Sequence, residues 1–177
     1  MKKKPIYLWI LLVLSALISA SSLFGILGPV PSKEVLRANL SNSGSLTAQQ
    51  IEDTVNYTYQ VTAASHSIFN VILIVLSAIL VVVAFVFLVR KNVQFANYAY
   101  LGYLLLAIVG LVYSFVNIQD AIQLIKDDTL GLGIGTLAKG TVILFMIINV
   151  LFLALVLYKM WRQQKDLAEE AEAEEVA

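Results

Sequence analysis

The chain has 177 residues, 59% hydrophobic and 14% charged, with a mean hydropathy of +0.83 and a formal net charge of zero. Soluble domains are roughly half apolar and a quarter charged, so a water-soluble fold could not bury this much apolar surface. No basic patch has the clustered Arg/Lys and aromatic character of a nucleic-acid reader, which excludes nucleic acid as a partner, and the absence of cysteine excludes disulfides, thiolate metal sites and cysteine nucleophiles.

The few charges leave four uncharged runs, between Lys4 and Lys33, Asp53 and Arg90, Lys91 and Asp120, and Lys139 and Lys159. A helix needs about 20 predominantly apolar residues to cross the hydrocarbon of a bilayer. The runs lack the alternation of barrel strands, and an open strand in lipid would leave its backbone unpaired. The expected fold is therefore all-α: an integral membrane four-helix bundle whose second and third helices extend into a small extracytoplasmic helical lobe.

Residues 1–27 hold a cytoplasmic start and the first span, near Ile6 to Leu27. Lys2 to Lys4, an apolar run and the small residues Ser19 to Ser22 outline a secretory signal peptide, but the run continues through Leu23, Phe24, Ile26 and Leu27. That is longer than a signal's apolar region and reads as an uncleaved span. Residues 28–67 form the larger outer segment. Gly28, Pro29 and Pro31 end the first helix, and Ser32 can cap a short helix through Glu34, Val35 and Leu36. A small polar loop, Ser41 to Ser45, follows, and then Thr47-Ala48-Gln49-Gln50 has the form of a capping box.

From Ala48 to Val89 there is neither proline nor glycine. The expectation is one continuous helix of about 42 residues, near 60 Å long, with residues 68–89 as the second span and the rest standing outside the membrane. On the projecting part Ile51, Val55 and Tyr59 make an apolar stripe among Gln49, Glu52, Asp53 and Asn56.

A cytoplasmic turn at 90–94 leads to the third span at 95–117, placing the second and third spans as an antiparallel hairpin. Residues 118–139 begin as an extension of the third helix with Ile118, Ala121, Ile122 and Ile125 on one side, and end in a flexible Gly-rich outer turn at Gly131, Gly133 and Gly135. The two extensions are expected to bury their stripes against each other. The fourth span occupies 140–158. Where the span meets the cytoplasmic tail, 159–177, Tyr158 and Trp161 suit the interface and Lys159, Arg162 and Lys165 the anionic inner leaflet. The Ala/Glu-rich end from Asp166 is helix-competent without an apolar face and is expected to fray or be disordered.

Cytoplasmic flanks carry an excess of Lys and Arg. Lys2, Lys3, Lys4, Arg90, Lys91, Lys159, Arg162 and Lys165 lie on the side of the termini, against Lys33, Arg37, Lys126 and Lys139 on the other. Both termini are thus placed in the cytoplasm of a multi-pass cell-membrane protein. The short loops, the lack of cysteine and the Lys-rich start point to a bacterial source. The glycosylation patterns at Asn39-Leu40-Ser41 and Asn56-Tyr57-Thr58 would matter only in a eukaryotic secretory pathway.

The candidates for chemistry are weak. The glycines from Gly131 to Gly135 lack the spacing of a dinucleotide loop and the Lys-Ser/Thr of a P-loop, and the segment is too short for a re-entrant selectivity filter. His66, between Ser65 and Ser67, reads as an interfacial histidine, since neither Asp53 nor Asp120 stands at a ligand or dyad spacing from it. No serine has a G-x-S-x-G elbow or a base beside it within a span.

No Asp, Glu, Lys, Arg or His lies at hydrocarbon depth, which argues against ion-coupled transport. The polar residues there are milder, chiefly Ser15, Ser19, Asn70, Ser77, Ser114 and Asn149. Two small-residue faces, Tyr103-Ala107-Gly110-Ser114 and Ser15-Ser19-Ser22, suit close helix approach and are expected to close the chain's own bundle. In layout the chain resembles small four-span proteins such as tetraspanins and claudins, but those families carry loop cysteines, and with none here no functional residue is transferred.

No catalytic, cofactor-binding or metal-ligating residue is expected, and no cofactor. The expected partners are the lipid bilayer and another membrane protein or a second copy of the chain. The expected function is a non-enzymatic accessory or scaffold subunit that binds another membrane or envelope protein; the alternative is a small oligomeric channel or uncoupled facilitator.

Overall fold

The structure, a computed structural model, describes residues 5–42 and 46–175. Lys2, Lys3 and Lys4 of the basic start and Ser43, Gly44 and Ser45 of the polar loop lie outside the described residues. The described chain is all-helical, with α1 Ile6–Leu27, α2 Lys33–Ser41, α3 Ala48–Ser65, α4 Ile68–Val89, α5 Val93–Ile122 and α6 Asp128–Glu175. Four of these, α1, α4, α5 and α6, are each long and apolar enough to cross a membrane.

Local chemistry sets the helix starts. Ser32 caps α2 by accepting from the Val35 N–H. Thr47 and Gln50 form the capping box of α3, each side chain bonded to the other's backbone. Asn92 caps α5 through the Phe95 N–H, immediately after Lys91, whose φ of 61° closes the α4–α5 turn. A left-handed lysine is unfavourable by about 1–2 kcal/mol. The turn tolerates it because the Asn92 N–H reaches back to the Phe87 carbonyl at 2.9 Å, closing the helix end.

The continuous helix expected from Ala48 to Val89 is instead two helices, broken at His66 and Ser67. Side chains replace the backbone ladder there. Ser67, in extended conformation, accepts from the Asn70 N–H, and the Asn70 amide donates to the Ser65 carbonyl at 2.7 Å. The His66 ring sets Nδ1 2.9 Å from the Thr62 carbonyl oxygen and Nε2 2.9 Å from that of Gly28, just past α1. Ser67 Oγ also bonds the Tyr113 hydroxyl of α5 at 2.8 Å. A break needs no glycine or proline when Ser, His and Asn supply the caps.

The flexible outer turn expected at Gly131 to Gly135 is instead the first turns of α6. Asp127 starts the helix, its Oδ1 accepting from the Leu130 N–H at 2.9 Å and its carbonyl from the Gly131 N–H at 2.8 Å. Gly131 and Gly135, one turn apart, abut Ile125 and Ile122; a Cβ on Gly135 would stand 3.0 Å from Ile122 Cδ1. Close packing, not backbone freedom, explains these two glycines. The expected fray from Asp166 is also absent: α6 runs 48 residues to Glu175, about 72 Å at 1.5 Å per residue.

α4 packs against α1 and α5, and α6 against α5. Burial is concentrated toward one end. Leu8, Leu11 and Leu12 of α1, Val81, Ala84 and Leu88 of α4, Ala96, Tyr100, Tyr103 and Leu104 of α5, and Val156 of α6 make one apolar cluster. These belong to the first half of α1 and α5 and the later part of α4 and α6, so they gather beside the α4–α5 turn. Polar bonds cross the helices there. Tyr7 donates to Asn97 Oδ1 at 2.9 Å, Asn97 donates to Gln163 Oε1 at 3.1 Å, and Ser15 pairs with the Tyr100 hydroxyl at 3.0 Å. Toward the other end, α2 packs on α3 and α3 on α5.

Gly135→Leu is expected to force α6 off Ile122 and lower the thermal midpoint of the detergent-solubilised protein, at a cost of about 1–3 kcal/mol for overpacking. Gly133→Ala, where a Cβ meets nothing within 4 Å, should be neutral or stabilising by up to about 1 kcal/mol. Circular dichroism melts of the two variants check this. Equal midpoints would mean that the glycine face is not a packing face.

Candidate functional site

Two places gather polar groups. The first is where α3 meets the α5–α6 connection. Val55 of α3 is fully buried, as is Ala121, and Ile118 and Ile125 are nearly so. Asp53, two residues before Val55, is only 2% exposed. Its Oδ2 accepts the backbone N–H of Lys126 at 2.8 Å and of Asp127 at 3.2 Å, and its Oδ1 accepts from the Gln49 amide at 2.7 Å. Gln50 donates to Asp127 Oδ2 at 3.0 Å.

Burial of Asp53 raises its pKa, but the two backbone donors and Gln49 outweigh that and hold it below the ordinary carboxylate value. Asp127 is held low chiefly by the Leu130 N–H and the Gln50 amide. α2 is tied to the same unit by Lys33 Nζ on Asn56 Oδ1 at 2.7 Å and by Arg37, which gives both forks to Glu52 at 2.5 and 3.1 Å. The Arg37–Glu52 pair is part exposed, so water and salt screen it. The buried carboxylate is the principal tie.

Sequence spacing gave Asp53 no role. The atoms that explain it, the N–H groups of Lys126 and Asp127, lie 73 and 74 residues away in the chain. His66, also without an assigned role, joins the α3–α4 break to the end of α1. Asp53 and His66 are not brought together as a dyad: their bonds run to different elements.

The second place is a cavity of about 350 Å³ between α1, α4, α5 and α6, on the side of the apolar cluster toward α2 and α3. Five of the six polar residues singled out at hydrocarbon depth line it: Ser19, Asn70, Ser77, Ser114 and Asn149. The sixth, Ser15, is spent on Tyr100. The two small-residue faces also arrive here, through Ser19 and Ser22 on α1 and Tyr103, Ala107, Gly110 and Ser114 on α5. The faces meet inside the chain, where Ser15 pairs with the Tyr100 hydroxyl and Ser19 and Tyr103 are buried. They come to one cavity and leave space between them, because a Cβ added to Gly110 would meet nothing within 4 Å.

Asn97, Tyr7, Tyr100 and Gln163, which cross-link the helices at the packed end, were not singled out from sequence. An amide inside the third span was the available signal, since a polar group at the edge of hydrocarbon needs a partner. Among the described residues there is no group of three or more His, Asp or Glu side chains placed to hold a metal ion.

A family model described as "Domain of unknown function (DUF8777)" matches residues 1–169. No curated protein and no solved structure matches the chain.

Asp53→Asn keeps the shape and removes the charge, and is expected to lower the midpoint for loss of α3 structure by several degrees. A carboxylate with a lowered folded pKa stabilises the fold above the unfolded value, near 4, and loses that contribution as pH falls through the folded value. The parental protein should therefore weaken at the α3–α5 junction below about pH 4, and Asp53→Asn should lose part of that dependence. Hydrogen exchange of residues 48–65 at pH 3 and pH 7 measures both.

Proposed function

The chain belongs to the DUF8777 family, and we propose that it acts as a non-enzymatic multi-pass membrane protein, an accessory or scaffold subunit that binds another membrane or envelope protein. In this proposal α1, α4, α5 and α6 form a four-helix bundle in a bacterial cell membrane with both termini in the cytoplasm. Helices α2 and α3 and the end of α5 stand outside as a small lobe. The supporting argument for the topology is the Lys/Arg bias, eight against four.

The observation that carries the proposal is the way the outer helices are held. Asp53 clamps α3 to the α5–α6 connection, and Lys33 and Arg37 tie α2 onto α3. A preorganised surface loses less entropy on docking than a free loop. From that surface α2 turns Glu34, Val35, Ala38 and Asn39 outward, and Val35 is 52% exposed on an otherwise polar face. Val55, by contrast, is consumed inside the unit and cannot contact a partner.

The alternative, a small oligomeric channel or uncoupled facilitator, draws support from the polar cavity. Leu8, Leu12, Tyr100 and Val156, all fully buried, lie beyond it, so within one chain it is a blind recess.

Mild-detergent purification of the tagged protein from its native membrane should recover a stoichiometric second protein. Val35→Glu should cut that recovery about tenfold, equivalent to about 1.4 kcal/mol, with the fold intact. Val55→Glu should lose helicity as well as the partner. Recovery of the parental chain alone, or only as copies of itself, would reject the scaffold role and direct attention to flux in liposomes.

A further inference from the structure

We infer that the cavity between α1, α4, α5 and α6 binds the head of an uncharged, ester-bearing lipid of the diacylglycerol class, entering sideways from the bilayer. The inference stands apart from the scaffold proposal, since it concerns a different face of the molecule.

Hydroxyl groups carry the argument. A serine or threonine on a helix commonly satisfies its hydroxyl on the carbonyl one turn back, as Ser22 does on Ile18 at 3.0 Å and Thr141 on Leu137 at 2.8 Å. Ser19, Ser77, Ser114 and Tyr103 line the cavity and have no hydrogen-bond partner for their hydroxyls among the described residues. Ser19 is 8% exposed and Tyr103 5%, so neither is a surface side chain open to bulk solvent. A polar group held at hydrocarbon depth without a partner is costly, and these four face one space.

The remaining polar groups complete a pattern. Asn70 and Asn149 each donate one amide N–H to a carbonyl of their own chain, Ser65 and Phe145, leaving the second N–H and the side-chain oxygen. The lining thus offers O–H donors from four hydroxyls and one N–H from each of two amides, with oxygens that accept in turn. A ligand with several acceptors and a hydroxyl complements it. Diacylglycerol has two ester carbonyls and one hydroxyl. No charged side chain lines the cavity, so an ionised headgroup would lose its water without gaining a counter-charge.

Shape and access agree with this chemistry. The volume, about 350 Å³, is at the small end of ligand sites, which run about 300–1,000 Å³. It takes a glycerol head and the start of a chain, leaving the tails in the bilayer. Ile18 of α1 and Phe145 of α6 border the cavity and are exposed on the outer faces of apolar helices, which makes the mouth lateral. Open space beside Gly110 lies within it.

The test uses the full-length protein in phosphatidylcholine nanodiscs with a diacylglycerol carrying a diazirine near the ester end of one chain. After photolysis, mass spectrometry should place adducts on cavity residues of α1 and α5, and excess unlabelled diacylglycerol should compete them away. Gly110→Leu, which fills open space, should reduce labelling at least fivefold, whereas Val109→Leu, on the exposed face beside it, should leave it unchanged. The double variant Ser77→Ala/Ser114→Ala removes both hydroxyls without filling the cavity and should reduce labelling about threefold, which keeps the test decisive if Gly110→Leu misfolds. A phosphatidic acid probe with the same diazirine should label only lipid-facing residues. Adducts insensitive to all three cavity substitutions, labelling that does not compete, or equal cavity labelling by phosphatidic acid would overturn the inference; a cavity that holds only water would give the first of these.

Discussion

Asn97 is the point on which the arrangement of the long helices turns. In hydrocarbon, apolar side chains gain little by leaving lipid for one another, so helices are held by close packing and by polar bonds between them. Asn97 is fully buried, accepts from Tyr7 of α1 and donates to Gln163 of α6, and so joins three helices through one amide. Ser15 with Tyr100 adds a second cross-link, and Lys159 stands 5.7 Å from the Tyr7 ring centroid on the same side. Each such bond is worth about 0.6–2 kcal/mol. Together with the apolar cluster around Leu8, Ala84, Tyr100 and Val156 they close one end of the helices.

The opposite end is held by different means. There the ties are caps and a buried carboxylate: Asp53 on the N–H groups of Lys126 and Asp127, Asp127 on the first turn of α6, His66 beside the Gly28 carbonyl, and Ser67 with Tyr113. These bonds fix the ends of the helices and leave the space between them unfilled. A closed end, a capped end and a cavity between them follow from this division. The chain has no cysteine to reinforce the capped end, where three donors converge on Asp53.

The same division separates the two functional proposals physically. A partner would meet α2 and α3, where backbone caps make a preorganised surface. A lipid would meet the unpaired hydroxyls deeper down. His66 and Ser67, at the α3–α4 break, lie between these regions and are bonded to the end of α1 and to α5.

How much of this was legible in the chain depended on the range of the forces involved. The membrane-length helices were legible, and α1 and α4 end where the uncharged runs placed them, because hydropathy and charge spacing act locally along the chain. The caps at Ser32 and Thr47 were legible for the same reason: the bonded atoms are three residues apart. The break at His66 and Ser67, the helical start of α6 through its glycines and the helix continuing past Asp166 were not, since the first two depend on Gly28, Tyr113, Ile122 and Ile125, contacts with other elements. The polar residues at depth could be named from sequence, but not sorted. Only the tertiary structure decided that Ser15 is spent on Tyr100 while Ser19, one turn on, faces a cavity, because a hydroxyl's partner is set by which helix stands opposite it.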